Sequence, residues 1–353
     1  MPSLAAVLET PGILNQCTAF QSGDRFQDYT DGDLAASLGH LSLLKSCKAI
    51  SDDRHCCGEE PPGGDPRELM NNRSEEMLSE LRFTHNAVNW SAAQGHLEVV
   101  RWLLEHRREG CTEAAVDDAC WNGHEAVVHC LMCEYGKVGS HRALDYAASR
   151  GRLELVEWLH EQGMACTAQA MDGAAGEGHL ETLQWLAAHR KEGCSSAAFE
   201  MAASEGHLRI VEWLESVNLL QCSSAGLDGA AGGGHLHVLK WMIRRKPGLR
   251  CTTNAYGLAA SQGRLEVLKW LRATAPTLGC PVWASETAAA AGHFAVVDWL
   301  HTTGLCNASS VVLDDVARRG RLDVVAWLHE HGARATKRAV DLAAEAGHLE
   351  VVI

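Results

Sequence analysis

Apolar residues fall on a regular beat along most of the chain. After Gly95 they stand two, four, five and eight places on, at Leu97, Val99, Val100 and Leu103. That spacing lays one stripe along a helix and lacks the alternation of a strand. The pattern returns after Gly123, Gly151, Gly178, Gly206, Gly234, Gly263, Gly292, Gly320 and Gly347, at intervals of 28, 28, 27, 28, 28, 29, 29, 28 and 27 residues. An Ala-rich stretch precedes each glycine. It opens eleven places earlier on Thr84, Thr112, Ser140, Thr167, Ser195, Ser223, Thr252, Ser309 or Thr336, with Pro281 the one exception. Ser or Thr at a helix entrance satisfies an orphan backbone N–H, and Gly ends a helix in the left-handed conformation without strain. The pattern predicts ten helix–turn–helix units over residues 84–353, the last cut short at Ile353. Two helices of about ten residues cannot bury both faces alone. Stacked pairs can, which predicts an all-α solenoid.

The unit core Ala343-Ala344-Glu345-Ala346-Gly347-His348-Leu349-Glu350-Val351-Val352 resembles ankyrin repeats, and it recurs ten times over about three quarters of the chain. Two departures stand out. The family's Thr-Pro-Leu-His start is absent, and where its His would fall eight units carry an acid: Asp117, Asp145, Asp172, Glu200, Asp228, Glu286, Asp314 and Asp341. The period is also near 28, against about 33 in the family. The missing residues imply reduced or absent β-hairpin fingers. With Trp in the second helix and Cys-Thr or Cys-Ser before the first, the variant resembles ankyrin arrays expanded in protists such as oomycetes and amoebae.

The first 83 residues are less regular. Residues 1–32 are expected to hold capping helices, within residues 3–21. Asp33-Leu34-Ala35-Ala36-Ser37-Leu38-Gly39-His40-Leu41 matches the unit core, and Gly39 lies 56 residues, two periods, before Gly95. Residues 33–83 therefore hold one matching unit, followed either by a diverged unit or by an insertion. The polar, Pro/Gly-rich stretch 51–75 reads as a mobile loop. At the other end GHLEVVI stops within a second helix, which suggests a truncated chain or an open end covered by a partner.

Composition narrows the function. An apolar fraction of 46% supplies a core. A net charge of −14 disfavours nucleic-acid binding, which needs a basic surface. No apolar run is long enough to cross a bilayer, so no membrane insertion is expected. The start, MPSLAAVLETPGILNQC, lacks the basic residue of a secretory signal. The 14 Cys read as reduced thiols, which places the chain in the cytoplasm, with the nucleus as the alternative.

Each recurring residue has a structural and a chemical reading. Trp stands seven after the glycine in eight units: Trp102, Trp158, Trp185, Trp213, Trp241, Trp270, Trp299 and Trp327. Against a stacking platform for bases, which would need a positive groove, a packing ridge is favoured. Cys111, Cys166, Cys194, Cys222, Cys251 and Cys280 precede the cap. Stacked helices lie about 8–10 Å apart, too far for disulfides or a shared zinc ion, so small packing thiols are expected. His or Arg after the glycine (His96 and His179 among them) reads as a capping and inter-repeat hydrogen-bonding group. The acid column would either line a cation groove or bond neighbouring backbone or Arg within the stack, the second being favoured. In His124-Glu125-Ala126-Val127-Val128-His129 the two His are five apart, about 140° around a helix, so they cannot grip one zinc. His55-Cys56-Cys57 with Cys47 fits no common zinc spacing. No cofactor, metal or small-molecule substrate is expected, and no enzyme.

Function is then sought where the pattern breaks. Trp90 and Tyr146 stand five before their glycine and Trp121 two before its own. Offsets that differ by three share a helix face. In ankyrin repeats the concave face, built by first helices, usually binds partners, and the place two before the glycine is commonly exposed there. Trp121 is therefore the expected anchor. For Trp90 and Tyr146 core filling is as good a reading, and Trp283 is a separate candidate. The resemblance implies a non-enzymatic scaffold that binds a protein of unknown identity. The alternative is a targeting or adaptor module for an activity in a missing C-terminal region or a partner, such as a ubiquitin-ligase or signalling assembly.

Overall fold

Helix capping and small-residue packing organise the chain. The structure is a computed structural model that describes residues 32–41, 44, 83–217, 219, 221–281, 283–305, 310–330 and 332–352. The expected capping helices in 3–21, the loop 51–75, Ser309 and the His55-Cys56-Cys57 cluster lie outside them. Among the described residues every regular element is helical and there is no strand. The chain forms two compact units: residues 1–147 with 154–166, and residues 148–153 with 167–353.

In the first unit α1 (Gly32–Ser37) is followed by the pairs α2 (His85–Ala93) with α3 (Leu97–His106), and α4 (Ala114–Asn122) with α5 (Glu125–His129). Next come α6 (His141–Ser149), whose last two residues group with the second unit, and α7 (Leu153–Glu161). The second unit continues with α8 (Ala168–Gly176) and α9 (Leu180–His189), α10 (Ser196–Ser204) and α11 (Leu208–Ser216), and α12 (Ser224–Gly233) and α13 (Leu236–Arg245). It ends with α14 (Thr253–Ser261) and α15 (Leu265–Thr274), α16 (Trp283–Ala291) and α17 (Phe294–Thr302), α18 (Ser310–Arg318) and α19 (Leu322–Glu330), and α20 (Lys337–Glu345) and α21 (Leu349–Val352).

One rung shows the construction. Ser195 caps α10, its hydroxyl accepting from the Ala197 N–H at 3.1 Å. Ala198, Phe199, Ala202 and Ala203 form the buried stripe of that helix. The Ala pair just ahead of the glycine has no bulk, so neighbouring first helices close on one another; Ala202 and Ala203 are fully buried. Gly206 turns the chain at φ 83°. Ile210, Val211 and Leu214, four, five and eight places on, then bury the inner stripe of α11. The corresponding leucine two after the glycine stays partly exposed, as at Leu322 and Leu349.

Two side-chain devices join successive rungs. The first uses the turning glycine. A Cβ on Gly178 would lie 2.7 Å from the His207 ring, on Gly206 2.4 Å from His235, and on Gly95 2.5 Å from His124. Each glycine is thus both a left-handed turn and a seat for the imidazole of the next rung. Arg264 and Arg321 take the same place over Gly234 and Gly292. The His occupies the N-cap position of the second helix, but its side chain makes no cap bond. Its contact is with the neighbouring rung: His96 Nε2 donates to the Ser37 carbonyl at 3.1 Å.

The second device is a carboxylate staple. Buried Asp172 accepts from the Ser195 N–H at 2.8 Å and from its hydroxyl at 2.5 Å. Asp117 holds Ser140 in the same way at 2.8 and 2.6 Å. Asp228 accepts from the Thr252 N–H at 2.8 Å and from its hydroxyl, and Asp314 accepts from the Thr336 hydroxyl at 2.7 Å. The acid therefore bonds the cap residue of the following rung. Where the acid is Asn89 the junction differs. Asn89 Nδ2 donates to Thr112 Oγ1 at 2.8 Å, and α4 begins at Ala114 with no side-chain cap bond.

The Gly39 rung is built alike. Asp33 accepts from the Thr84 N–H at 2.7 Å and from its hydroxyl, and His96 seats on Gly39. Gly95 thus begins the rung that stacks on Gly39.

Compact turns stand where fingers would be. In Arg107-Arg108-Glu109-Gly110, Glu109 accepts from Arg107 Nη2 at 3.1 Å and from the Arg108 N–H at 2.9 Å, and Gly110 has φ 68°. Arg190, Lys191, Glu192 and Gly193 repeat this arrangement. The rung without a ladder Trp is also irregular. Cys130 takes that place, and a π-turn spans Cys130–Glu134, with Glu134 paired to Arg101 at 2.7 Å.

Candidate functional site

Stacking consumes most columns of each first helix. From α2 to α18 the places eight, seven, four and three before the glycine are core, whereas in the last first helix Val340 is 44% exposed; the place six before holds the staple where it is Asp117, Asp172, Asp228 or Asp314. What remains outward are the places five and two before, one helix face by their spacing of three. This is the face on which the expected anchors lie.

Trp121 is 39% exposed and Trp90 41%. Tyr146 is half-buried. Trp121 and Tyr146 come together, edge to face, with centroids 5.0 Å apart and planes at 68°. The place two before one glycine meets the place five before the next, which pairs these rings. Trp90 holds the Tyr146 place two rungs earlier.

Between them in that column stands Asp118, three residues before Trp121 and half-buried. Burial, with the neighbouring Asp117 charge, raises its pKa above the ordinary carboxylate value, and the Arg142 charge opposes this.

Trp283, 39% exposed, sits in the second unit and fills a structural gap. A Cβ on Gly257 would lie 1.8 Å from its ring. Gly257 stands where other units carry the stapling acid, and Pro281, with neither N–H nor hydroxyl, stands where they carry the cap residue. The indole of Trp283 occupies the site of the missing carboxylate.

The outward face of the second unit holds two residues that a search for aromatics misses. Met201 and Leu258, 38% and 39% exposed, stand five before their glycines. Each lies over a glycine two before the preceding turn, Met201 on Gly176 and Leu258 on Gly232. Their shared offset with Trp90 and Tyr146 was the available signal.

The ladder residues lie elsewhere. Trp102 is buried and stacks on His106 (5.1 Å, 15°), and Trp185 on His189 (4.4 Å, 20°). Each His donates from Nδ1 to the Trp carbonyl at 2.9 Å. Trp213 is half-buried, its carbonyl accepting from Ser216 at 2.8 Å. The pre-cap thiols are partly or fully buried, and burial raises the pKa of Cys111 and Cys194, and of Cys222 and Cys251 to about 11. Such thiols stay protonated and poorly nucleophilic at neutral pH. His124 lies against Gly95 while His129 packs on Trp158 at 4.1 Å, so the two histidines serve different neighbours.

Capped helix pairs that stack through small residues and leave one face open define a helical repeat protein. Its particular class emerges from comparison with known families. Residues 144–187 and 166–215 match the family described as Ankyrin repeats (many copies). Residues 144–215 carry ankyrin repeats, and rungs outside that span are built on the same places. None of the curated proteins compared with it matches. Among solved structures it is similar to the human ASB11 ankyrin repeat domain, at 18% identity over 59% of this chain and 95% of that one, with a TM-score of 0.31. It is also similar to the pentatricopeptide repeat protein PPR10 from maize, at 15% identity over 86% of this chain and half of that one, with a TM-score of 0.36. TM-scores this low add nothing to the argument. Ankyrin repeats are in general protein–protein interaction modules, and their fold is typically non-enzymatic. Among the described residues no helix is long and apolar enough to cross a membrane.

Proposed function

We propose that the chain is a cytoplasmic, non-enzymatic scaffold that binds a protein partner on the face formed by the first helices. One observation carries this reading. Stacking accounts for the glycines, histidines, acids, cap residues and inner apolar stripes, yet Trp90, Trp121, Met201 and Leu258 stay exposed at the two outward places. Exposed aromatic residues that already rest on a neighbour lose little freedom on binding and make good anchors.

The test is affinity capture with quantitative mass spectrometry, comparing the native chain with Trp121→Ala and with Trp213→Ala, a ladder residue. Partners lost with the first and kept with the second support the face. Equal recovery from a folded Trp121→Ala chain removes Trp121 as an anchor.

A further inference from the structure

We propose that Cys130 and Cys133 form a redox-active dithiol. A low-molecular-weight disulfide oxidises them to a bond within their own turn, and closing that bond loosens the junction between α3 and the turn that follows α5.

The two thiols stand three apart in the π-turn Cys130–Glu134, at the rung that lacks a ladder Trp. Among the described cysteines Cys133 alone is exposed, whereas Cys130 is 2% exposed. The pair therefore offers an entry thiol in solvent and a resolving thiol behind it. The Cys130 thiol donates to Glu134 at 3.6 Å, and Glu134 is paired with Arg101 at 2.7 Å. Burial raises the Cys130 pKa, and the Arg101 guanidinium opposes that rise. The Arg101 Nε is itself buried without a hydrogen-bond partner among the described residues. A thiolate at Cys130 gives the guanidinium a charged acceptor.

Residues three apart in a helical turn share a face, with Cβ atoms about 5–6 Å apart. A disulfide needs them within about 4.5 Å. Closure therefore tightens the turn by about 1 Å. Two backbone bonds hold the open form: the Tyr135 N–H donates to the Cys130 carbonyl at 3.3 Å and the Lys137 N–H to the Leu131 carbonyl at 2.9 Å. Two side-chain contacts tie the turn to α3, the Arg101–Glu134 pair and the Tyr135 hydroxyl donating to Glu105 at 3.3 Å. Tightening the turn draws Glu134 and Tyr135 away from these partners.

The Cys133 thiolate attacks one sulfur of the small disulfide, forming a mixed disulfide and releasing a thiolate that takes up the proton Cys133 gave. The Cys130 sulfur then attacks the Cys133 sulfur. Its proton leaves by way of Glu134, and the second small thiolate departs and is protonated. Two protein thiols are oxidised to one disulfide, and one small disulfide is reduced to two thiols.

The test exposes the full chain to oxidised glutathione over a range of ratios to the reduced form, traps remaining thiols with iodoacetamide and maps bonds by mass spectrometry. Cys130→Ser, Cys130→Ala and Cys133→Ser run alongside, each checked for folding by circular dichroism. The native chain should lose two hydrogens between Cys130 and Cys133 and hold little mixed disulfide. Both Cys130 variants should carry at least about tenfold more glutathione on Cys133, and Cys133→Ser should leave Cys130 reduced. Hydrogen exchange at the Tyr135 and Lys137 amides should quicken on oxidation of the native chain and stay unchanged in Cys133→Ser. Arg101→Gln should move the pH profile of closure upward, and Arg101→Lys should restore it. A native chain that stays reduced throughout, that stops at the mixed disulfide, or that joins Cys133 to any other thiol overturns the dithiol. Unchanged exchange after oxidation overturns the loosening, and a profile indifferent to Arg101→Gln removes Arg101 as a positioning residue.

Discussion

Replacing Asp172 tests the carboxylate staple most directly. Asp172 is 8% exposed and accepts two hydrogen bonds from Ser195, at 2.8 and 2.5 Å. Bonds to an ionised acceptor contribute about 1.5–3 kcal/mol each. Asp172→Ala removes both and leaves the Ser195 N–H without a partner, while relieving the desolvation of a buried charge. The net expectation is a loss of about 2–4 kcal/mol. Asp172→Asn should behave otherwise, because the chain already contains that junction at Asn89 and Thr112. There the amide donates to the cap hydroxyl, and the helix lacks a side-chain cap. Asp172→Asn should keep both inter-rung contacts and sacrifice only the bond from the Ala197 N–H to Ser195 Oγ, now 3.1 Å. A lost cap costs about 1 kcal/mol. Urea unfolding followed by circular dichroism gives the totals, and hydrogen exchange at the Ala197 amide reports the cap. An Asn variant as damaging as the Ala variant, with Ala197 still protected, would refute the geometric account and leave buried charge as the reason.

Three further perturbations probe the stack. Gly178→Ala combines a φ of 92° with a Cβ 2.7 Å from His207, so it should cost more than the roughly 1–2 kcal/mol of left-handed strain alone; His207→Ala in the same chain should recover the excess, measured by a double-mutant cycle in urea. Tyr256 is fully buried and its hydroxyl has no hydrogen-bond partner among the described residues, so Tyr256→Phe should raise stability by about 1 kcal/mol, and a loss would show that the hydroxyl is satisfied. Burial holds His179 and His235 below the ordinary imidazole range, against the nearby Glu177 and Glu205 charges and with the adjacent His237 charge adding to the effect at His235. Their folded pKa values lie below the unfolded ones, so the stability they contribute is complete above the ordinary imidazole pKa and is lost as pH falls through the folded values. Thermal melts should drop from neutral to mildly acidic pH, less steeply in His179→Asn and His235→Asn, and parallel slopes would exclude these two groups as the cause.

The sequence exposes the rung because its causes are local. Helix phase, the Ser or Thr entrance, the Ala pair and the turning glycine all act within one unit, so a single copy such as 195–214 nearly writes its own structure. The staple is harder to see. Its partners, Asp172 and Ser195, stand 23 residues apart, and an acid one period from a hydroxyl has no meaning until the rungs stack. The seat beneath His207 is hidden for the same reason: Gly178 looks fully explained by its turn. Exposure of Trp121 could be anticipated from its offset, whereas the structural use of Trp283 could not, because it depends on the absence of a side chain at Gly257.

That last junction shows how the two kinds of residue are separated. At the stapled junctions the acid of one rung holds the cap residue of the next. Pro281 removes the N–H and the hydroxyl that a carboxylate would serve, so an acid at position 257 would be buried without a donor. Gly257 removes the acid, and the indole of Trp283 fills the volume left behind. Three substitutions that look unrelated along the chain are one exchange of a polar staple for an apolar plug. Asp118 has no such counterpart. No cap residue, inserted ring or missing side chain in its own unit answers its carboxylate, although the fold answers Asp117 one residue earlier.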